Sequence, residues 1–254
     1  KAYADCDVDA PNLHLIMKHK SNIRKTDYTG LPKAVIDPLL CRECGVCMTN
    51  CRFDAISYSK ENGYSVDRYA CEGCGVCEVL CPTRAVSMNP AVAGELRLYR
   101  NGSVFSTAQL KMGSGTSGKL VSEVKNQLRE AAEKTDLAII DGSPGIGCPV
   151  IASLSGADMA LIVAEPSISG ISDMERIINT AYKFQVKTAV CVNKYDTNLQ
   201  NSGKIIRYCQ EYNIPYAGEI PYDRNALEAI NDGLSIVEID CPSGEAVKRV
   251  YRNT

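Results

Sequence analysis

The chain has 254 residues, 45% of them hydrophobic and 23% charged, which supplies a folded core and excludes wholesale disorder. Lys and Arg number 28 against 30 Asp and Glu; the net charge of −2 offers no basic footprint for nucleic acid. The longest apolar runs, such as Met159–Ala164, fall far short of the ~20 residues of a membrane span.

Ala2–Cys6 reads as a short strand leading into an acidic turn, DCDVDAPN, over residues 5–12. His14 and His19 follow with no partner at ligand spacing, which suits surface or capping roles. The chain has 13 cysteines and no export signal at its start, a combination that points to metal ligation rather than a disulfide framework, and to a cytoplasmic location. Eight of the 13 lie between Cys41 and Cys81, in two runs offset by 30 residues: CRECGVCMTNC from Cys41 and CEGCGVCEVLC from Cys71. Such a repeat implies a duplicated unit with pseudo-two-fold symmetry.

Each run reads C-x-x-C-x-x-C-x-x-x-C, the spacing of two-cluster ferredoxins, in which the fourth cysteine of each run serves the other run's 4Fe–4S cluster. One cluster would take Cys41, Cys44, Cys47 and Cys81, and the other Cys71, Cys74, Cys77 and Cys51. Gly45 and Gly75 allow the backbone to approach closely. Cys81 is followed by Pro82, as the pattern expects, but Cys51 by Arg52, so an altered turn or cluster potential is expected in the first half. Structural zinc is the competing use of thiolates, although zinc sites usually show two separated C-x-x-C pairs.

From about residue 92 strands and helices alternate. Val104–Lys111 suits a strand. GSGTSGK at residues 113–119 fits G-x-x-x-x-G-K, yet Leu120 stands where Ser or Thr should ligate Mg²⁺, so a mobile loop opening a helix is the preferred reading. Helical spacing marks Leu120–Glu133, Gly170–Phe184 and Leu199–Tyr212; Asp136–Asp141, Met159–Ala164, Lys187–Asn193 and Tyr216–Ile220 read as strands, the first of them buried. Cys191 and Cys209 suit small buried hydrophobes, and Glu245–Arg252 a solvated basic helix end. The alternation predicts an α/β fold: a mostly parallel sheet flanked by helices, with ligands at the carboxyl ends of its strands. Because the N-terminal strand shares this texture, the α/β domain is expected to be discontinuous, residues 1–30 and 92–254, around an inserted α+β bacterial-ferredoxin-type domain at 31–91.

The segments DCDVDAPNLHL, GIGCPVIASL and VNKYD together resemble the MinD/ParA/nitrogenase-iron-protein superfamily of P-loop ATPases, more narrowly those with an inserted ferredoxin domain. The resemblance spans essentially the whole chain and implies bound ATP and Mg²⁺, with ATP hydrolysis. It implies that Asp7 orients or activates the attacking water with Asn12 beside it, and that Asp141 holds Mg²⁺ through water. Gly145 would sense the γ-phosphate in a switch loop, Asn193 would bond the adenine, and Pro221, Tyr222 and Asp223 would line the base. The superfamily's glycine-rich phosphate loop lies before the DCDVDAP strand, on which this sequence already opens at Lys1. The first strand, that loop and the first helix would all precede Lys1; either the sequence is a fragment or they were never there, and without a phosphate cradle this chain is expected to bind ATP weakly and hydrolyse it hardly at all. A homodimer and a redox partner protein are further expectations. Cys148 stands near the position of a cluster ligand in the nitrogenase iron protein. The expected function is nucleotide-coupled electron transfer; the alternatives are iron–sulfur cluster assembly or delivery, or an electron carrier on an inactive ATPase scaffold.

Overall fold

The computed structural model describes residues 1–17, 23–100, 102–132 and 135–254; His19 lies outside them. In chain order the body opens with β1 (Ala2–Asp5) and β2 (Ile23–Thr29). The cysteine-rich stretch contributes β3 (Lys33–Ile36), α1 (Val46–Thr49), β4 (Ile56–Ser59), β5 (Gly63–Val66), α2 (Val76–Leu80) and β6 (Val86–Asn89). The body resumes with β7 (Val92–Arg100), β8 (Val104–Leu110), α3 (Ser117–Ala131), β9 (Ala138–Asp141), α4 (Cys148–Leu154), β10 (Met159–Ala164) and α5 (Ile168–Lys183). It closes with β11 (Lys187–Asn193), α6 (Leu199–Glu211), β12 (Tyr216–Ile220), α7 (Asn225–Asn231) and α8 (Pro242–Asn253).

Two sheets build the body. The first has the order β2-β7-β8-β1-β9, with β1 parallel to β8 and β9 and the β2-β7-β8 side antiparallel. The second, β10-β11-β12, is wholly parallel. Parallel neighbours need crossovers, which α5 and α6 supply. Ser167 accepts the Gly170 N–H at the start of α5, and Asn198 accepts that of Asn201 at the start of α6, so both helices begin on capped amides. KTAVCVN is almost continuously buried because β11 lies between two strands with helices against it. In the first sheet, Leu120, Val121, Val124 and Leu128 of α3 pack on Ala2, Ala4, Cys6 and Val8. Each of the larger side chains contributes about 1.5–3 kcal/mol by leaving water.

The β2–β7 ribbon carries the cysteine module at its far end. Thr29 pairs with Val92, and the Gly30 N–H donates to the Ala91 carbonyl at 3.1 Å. The chain thus leaves and re-enters the body at one point, the geometry that lets a module sit inside another fold.

One strand differs from expectation. Asp136–Asp141 was expected buried, but β9 ends its sheet and leaves Leu137 44% and Ile139 43% exposed. β10, an edge of the second sheet, leaves Met159, Leu161 and Val163 at 40%, 38% and 56% exposed. Along β10 these residues alternate, leaving a bare apolar row on one face; Leu137, just ahead of β9, and Ile139 within it share the same two-residue spacing.

Candidate metal centre and acidic corner

The eight clustered cysteines sort into two cavities. Cys41, Cys44, Cys47 and Cys81 line one with Ile36, Tyr64 and Pro82; Cys51, Cys71, Cys74 and Cys77 line the other with Ala34, Phe53 and Met88. The local sequence explains this crossing. The first two cysteines of each run lie on a tight turn that enters a short helix through Gly45 or Gly75, both at φ 75, a conformation costly for any residue with a Cβ, and the third sits in that helix's first turn. The helix then carries the fourth cysteine away, and α1 packs on α2, so each fourth thiol reaches the other half.

The halves match in their backbone. Glu43 and Gly73, Gly45 and Gly75, and Asp54 and Arg84 are left-handed pairs, each 30 residues apart. The turns after the fourth cysteines share left-handed residues, Asp54 at φ 50 and Arg84 at φ 57, but α2 runs on to Leu80 where α1 stops at Thr49, and the Arg84 N–H donates to the Cys81 carbonyl at 3.2 Å.

The thiol surroundings suit a charged metal group. All the cysteines are free. The Cys44 thiol is held low, first by the Val46 amide. At Cys81 burial opposes ionisation, but Thr83 and the amides of Thr83, Val86 and Ala85 outweigh it; the Ala85 N–H donates to Sγ at 3.2 Å. Burial, and then the neighbouring thiolates, push Cys47 and Cys77 up, a penalty that metal ligation removes. Among the described residues, no three His, Cys, Asp or Glu side chains converge on a single-ion position. The quartets surround cavities, as a cluster of several irons requires.

A second site lies where β1 and β9 end together, with Asp5 opposite Asp141. Asp5 is fully buried and accepts the Asp7 N–H at 3.2 Å and the Leu13 N–H at 3.1 Å, which folds the acidic turn back on its own strand. Burial raises its carboxyl, and the two amides restrain the rise. Desolvation, then repulsion from Asp5 and Asp7, raises Asp141. The Cys6 N–H donates to the Asp141 carbonyl at 2.9 Å, and the Ser143 hydroxyl donates to the Cys6 carbonyl, so the loop after β9 is stitched to the acidic turn. Asn12 is exposed, ahead of the single turn Leu13–Leu15 that contains His14. Gly145 takes φ 84 in open space, so its conformation, not packing, calls for glycine.

Asn193 pairs with Ile220 at the ends of β11 and β12, next to Pro221. The Tyr222 N–H donates to Asp196 Oδ1 at 2.8 Å. Asp223 commits both carboxylate oxygens: Oδ1 to Asn225, first among the causes that hold it below the usual range, and Oδ2 to the Ser243 amide and hydroxyl. It is a clasp between α7 and α8. The structure therefore brings Asp7 to Asp141, and Asn193 to Pro221–Asp223. It places the two groups on separate sheets, each at carboxyl strand ends.

The GSGTSGK loop faces the cysteine module. A Cβ on Gly113 would lie 3.4 Å from the Tyr69 ring and one on Gly115 3.6 Å from a Glu72 carboxylate oxygen, a poor neighbour for phosphate. Thr116, a β-branched residue at φ 63, caps α3, a conformation costing about 1–3 kcal/mol. Its Oγ1 lies 3.3 Å from the Tyr28 hydroxyl. Sequence reasoning missed two residues. One is Asp5, whose keystone role depends on β9. The other is Lys125, whose ammonium donates to the carbonyls of Ala152 at 2.9 Å and Ser153 at 2.8 Å, and to that of Ser155. Cys148 is exposed at the start of α4, against Gly118.

Eight thiols in two crossed quartets, held on an α/β body with an acidic corner at its strand ends, define an iron–sulfur protein built on a nucleotide-binding type of fold. The family profile described as "4Fe-4S binding domain" matches residues 34–57 and 64–87. The chain is 30% identical over 250 residues to the Methanocaldococcus jannaschii protein MJ0578, covering 97% of this chain and 83% of that one. It is also 30% identical over 128 residues to the septum site-determining protein MinD of Helicobacter pylori, about half of each chain (46% and 48%). The fold matches the cell-division ATPase MinD of Pyrococcus furiosus with a TM-score of 0.53 at 15% identity, covering 100% of this chain and 84% of that structure. The chain belongs to the MinD/ParA superfamily, in one family with MJ0578, and carries a pair of 4Fe-4S binding motifs within its α/β body. Among the described residues, no helix is long and apolar enough to cross a membrane.

Proposed function

We propose that this protein couples nucleotide binding and hydrolysis to electron transfer through two 4Fe–4S clusters. One is ligated by Cys41, Cys44, Cys47 and Cys81, the other by Cys71, Cys74, Cys77 and Cys51. The observation that carries this reading is the sorting of the eight thiols into two cavities by the crossed pattern, four to each. Full thiolate ligation favours resident redox clusters over cargo, which needs open or shared coordination. Residues 31–91 form the redox unit, and a homodimer working with a redox partner protein is its setting.

At the acidic corner Asp7 activates water with Asn12 beside it, Asp141 holds Mg²⁺ through water, and Gly145 senses the terminal phosphate. Asn193, Pro221 and Tyr222 receive the base, while Asp223 keeps that corner in place through its clasp. Nucleotide use requires a phosphate loop. The exposed apolar residues at β9 and on β10 support its position: a parallel strand between them, followed by a glycine-rich turn and a helix over those residues, would join the sheets and deliver the turn to Asp7 and Asp141. The test is EPR of the reduced clusters with and without Mg-ATP, on a chain that includes any upstream residues. A nucleotide-dependent change in signal or reducibility is expected. Identical spectra with nucleotide demonstrably bound would reduce the protein to a plain electron carrier.

A further inference from the structure

The loop between β8 and α3 touches more of the molecule than a connector needs to. At one end Gly113 and Gly115 lie against Tyr69 and Glu72, which flank Cys71 in the second quartet's segment. At the other end the loop enters α3, and there Gly118 meets α4: a Cβ at Gly118 would lie 2.9 Å from the Cys148 Cβ and 3.0 Å from its carbonyl oxygen. Cys148 is the first residue of α4, directly after the loop that begins at Gly142. Further along, Lys125 clamps α3 to the carbonyls at the far end of α4. Two helices in backbone contact at one end and clamped at the other move together. The turn between them and the cysteine module is Thr116, a strained cap steadied by Tyr28 of the ribbon that carries the module. The module is fastened on the same side. The Lys33 ammonium donates to the Cys71 carbonyl, and the Pro32 carbonyl closes on Gly73.

We infer that the Gly113–Ser117 loop is a mechanical relay, tying the loop after β9 to the second cysteine quartet ahead of the first. It deepens the nucleotide-coupled reading and rests on it for its purpose: a displacement of residues 142–147 moves α4, α4 carries α3, and the loop shifts Tyr69 and Glu72 beside Cys71. The first quartet, which the loop does not touch through these residues, keeps its surroundings. Coupling is reciprocal, so changes at Tyr69 and Glu72 must be felt at the start of α4.

Two arms test this on the full cluster-loaded chain, neither containing nucleotide, so failure here is distinct from a failure of Mg-ATP to act. In the first, Gly118→Ala drives a methyl into Cys148, and both midpoint potentials are followed by EPR, with Cys74→Ser marking the second cluster. A shift of the second cluster alone is expected, abolished when Tyr69→Ala and Glu72→Ala are added. Equal shifts of both clusters, no shift, or a shift surviving those changes would overturn the relay. In the second, Tyr69→Ala with Glu72→Ala is made in the otherwise native chain, and hydrogen exchange is compared with the parent. Faster exchange at residues 113–118 and 148–151 is expected. Unchanged exchange at 148–151 would overturn the proposal even if Gly118→Ala failed to fold.

Discussion

The two cysteine loops offer a controlled comparison. Gly73 and Gly75 both adopt left-handed conformations, at φ 67 and φ 75, but their surroundings differ. Nothing lies within 4 Å of a Cβ at Gly75, whereas one at Gly73 would overlap the Pro32 carbonyl oxygen and press on Leu31 at 3.1 Å. Against protein atoms Gly75→Ala therefore carries only the conformational penalty, about 1–2 kcal/mol. Gly73→Ala carries the same penalty plus about 1–3 kcal/mol of overpacking against backbone that cannot rotate away. The separation between the two should be about 1–3 kcal/mol, or several degrees in the melting midpoint. Anaerobic urea unfolding of the cluster-loaded protein, followed by far-ultraviolet circular dichroism and visible cluster absorbance, measures it. Equal destabilisation by the two alanines would refute the close packing of the 30–32 linker on the second cysteine loop. Glu43→Gly, at the first-half counterpart of Gly73, should be neutral or mildly stabilising in the same assay.

Other consequences are sharp enough to measure. Cys51→Ala should disturb the EPR signal of the cluster on Cys71, Cys74 and Cys77 and spare that of its own run; the reverse would contradict crossed ligation. Lys125→Met leaves the last carbonyls of α4 without their ammonium and should cost about 1–3 kcal/mol in urea unfolding. Asp141 has a raised carboxyl, so the native state holds this proton at higher pH than the unfolded chain and the ionised form weakens the fold. Asp141 is exposed, so Asp141→Asn should raise stability at neutral pH only slightly, with the gain shrinking as pH falls through the raised native value towards that of unfolded Asp. Asp223 runs the other way: its depressed carboxyl contributes stability above the unfolded value that is lost on acidification through the native one, and Asp223→Ala should remove that part of the acid transition.

Much of the architecture was legible because burial leaves strong patterns. β10, β11 and β12 begin and end where the apolar runs do; β11, flanked by two parallel neighbours and by helices, reads as a continuous hydrophobic stretch. The grouping of the thiols followed from spacing alone. The β2–β7 ribbon was not legible: IRKTDYT buries little besides Tyr28, so it carries no apolar alternation. β9 was misread because a run such as DLAIID says how apolar a strand is, not whether anything covers it. Around Arg52 the two halves share the left-handed residues Asp54 and Arg84 but end their helices one residue apart, a difference the Cys51-Arg52 departure from the proline pattern signals. Asp5 and Lys125 act through partners distant in sequence, and so do the Asp223 carboxylate's bonds to Ser243, which the sequence does not announce.

The most direct test is the metal content of the anaerobically reconstituted chain, counted as iron, acid-labile sulfide and zinc per polypeptide. About eight irons and eight sulfides are predicted, falling by about half when Cys44 and Cys47 are both replaced by Ala. Stoichiometric zinc, or a single cluster's worth of iron unaffected by that change, would contradict the account.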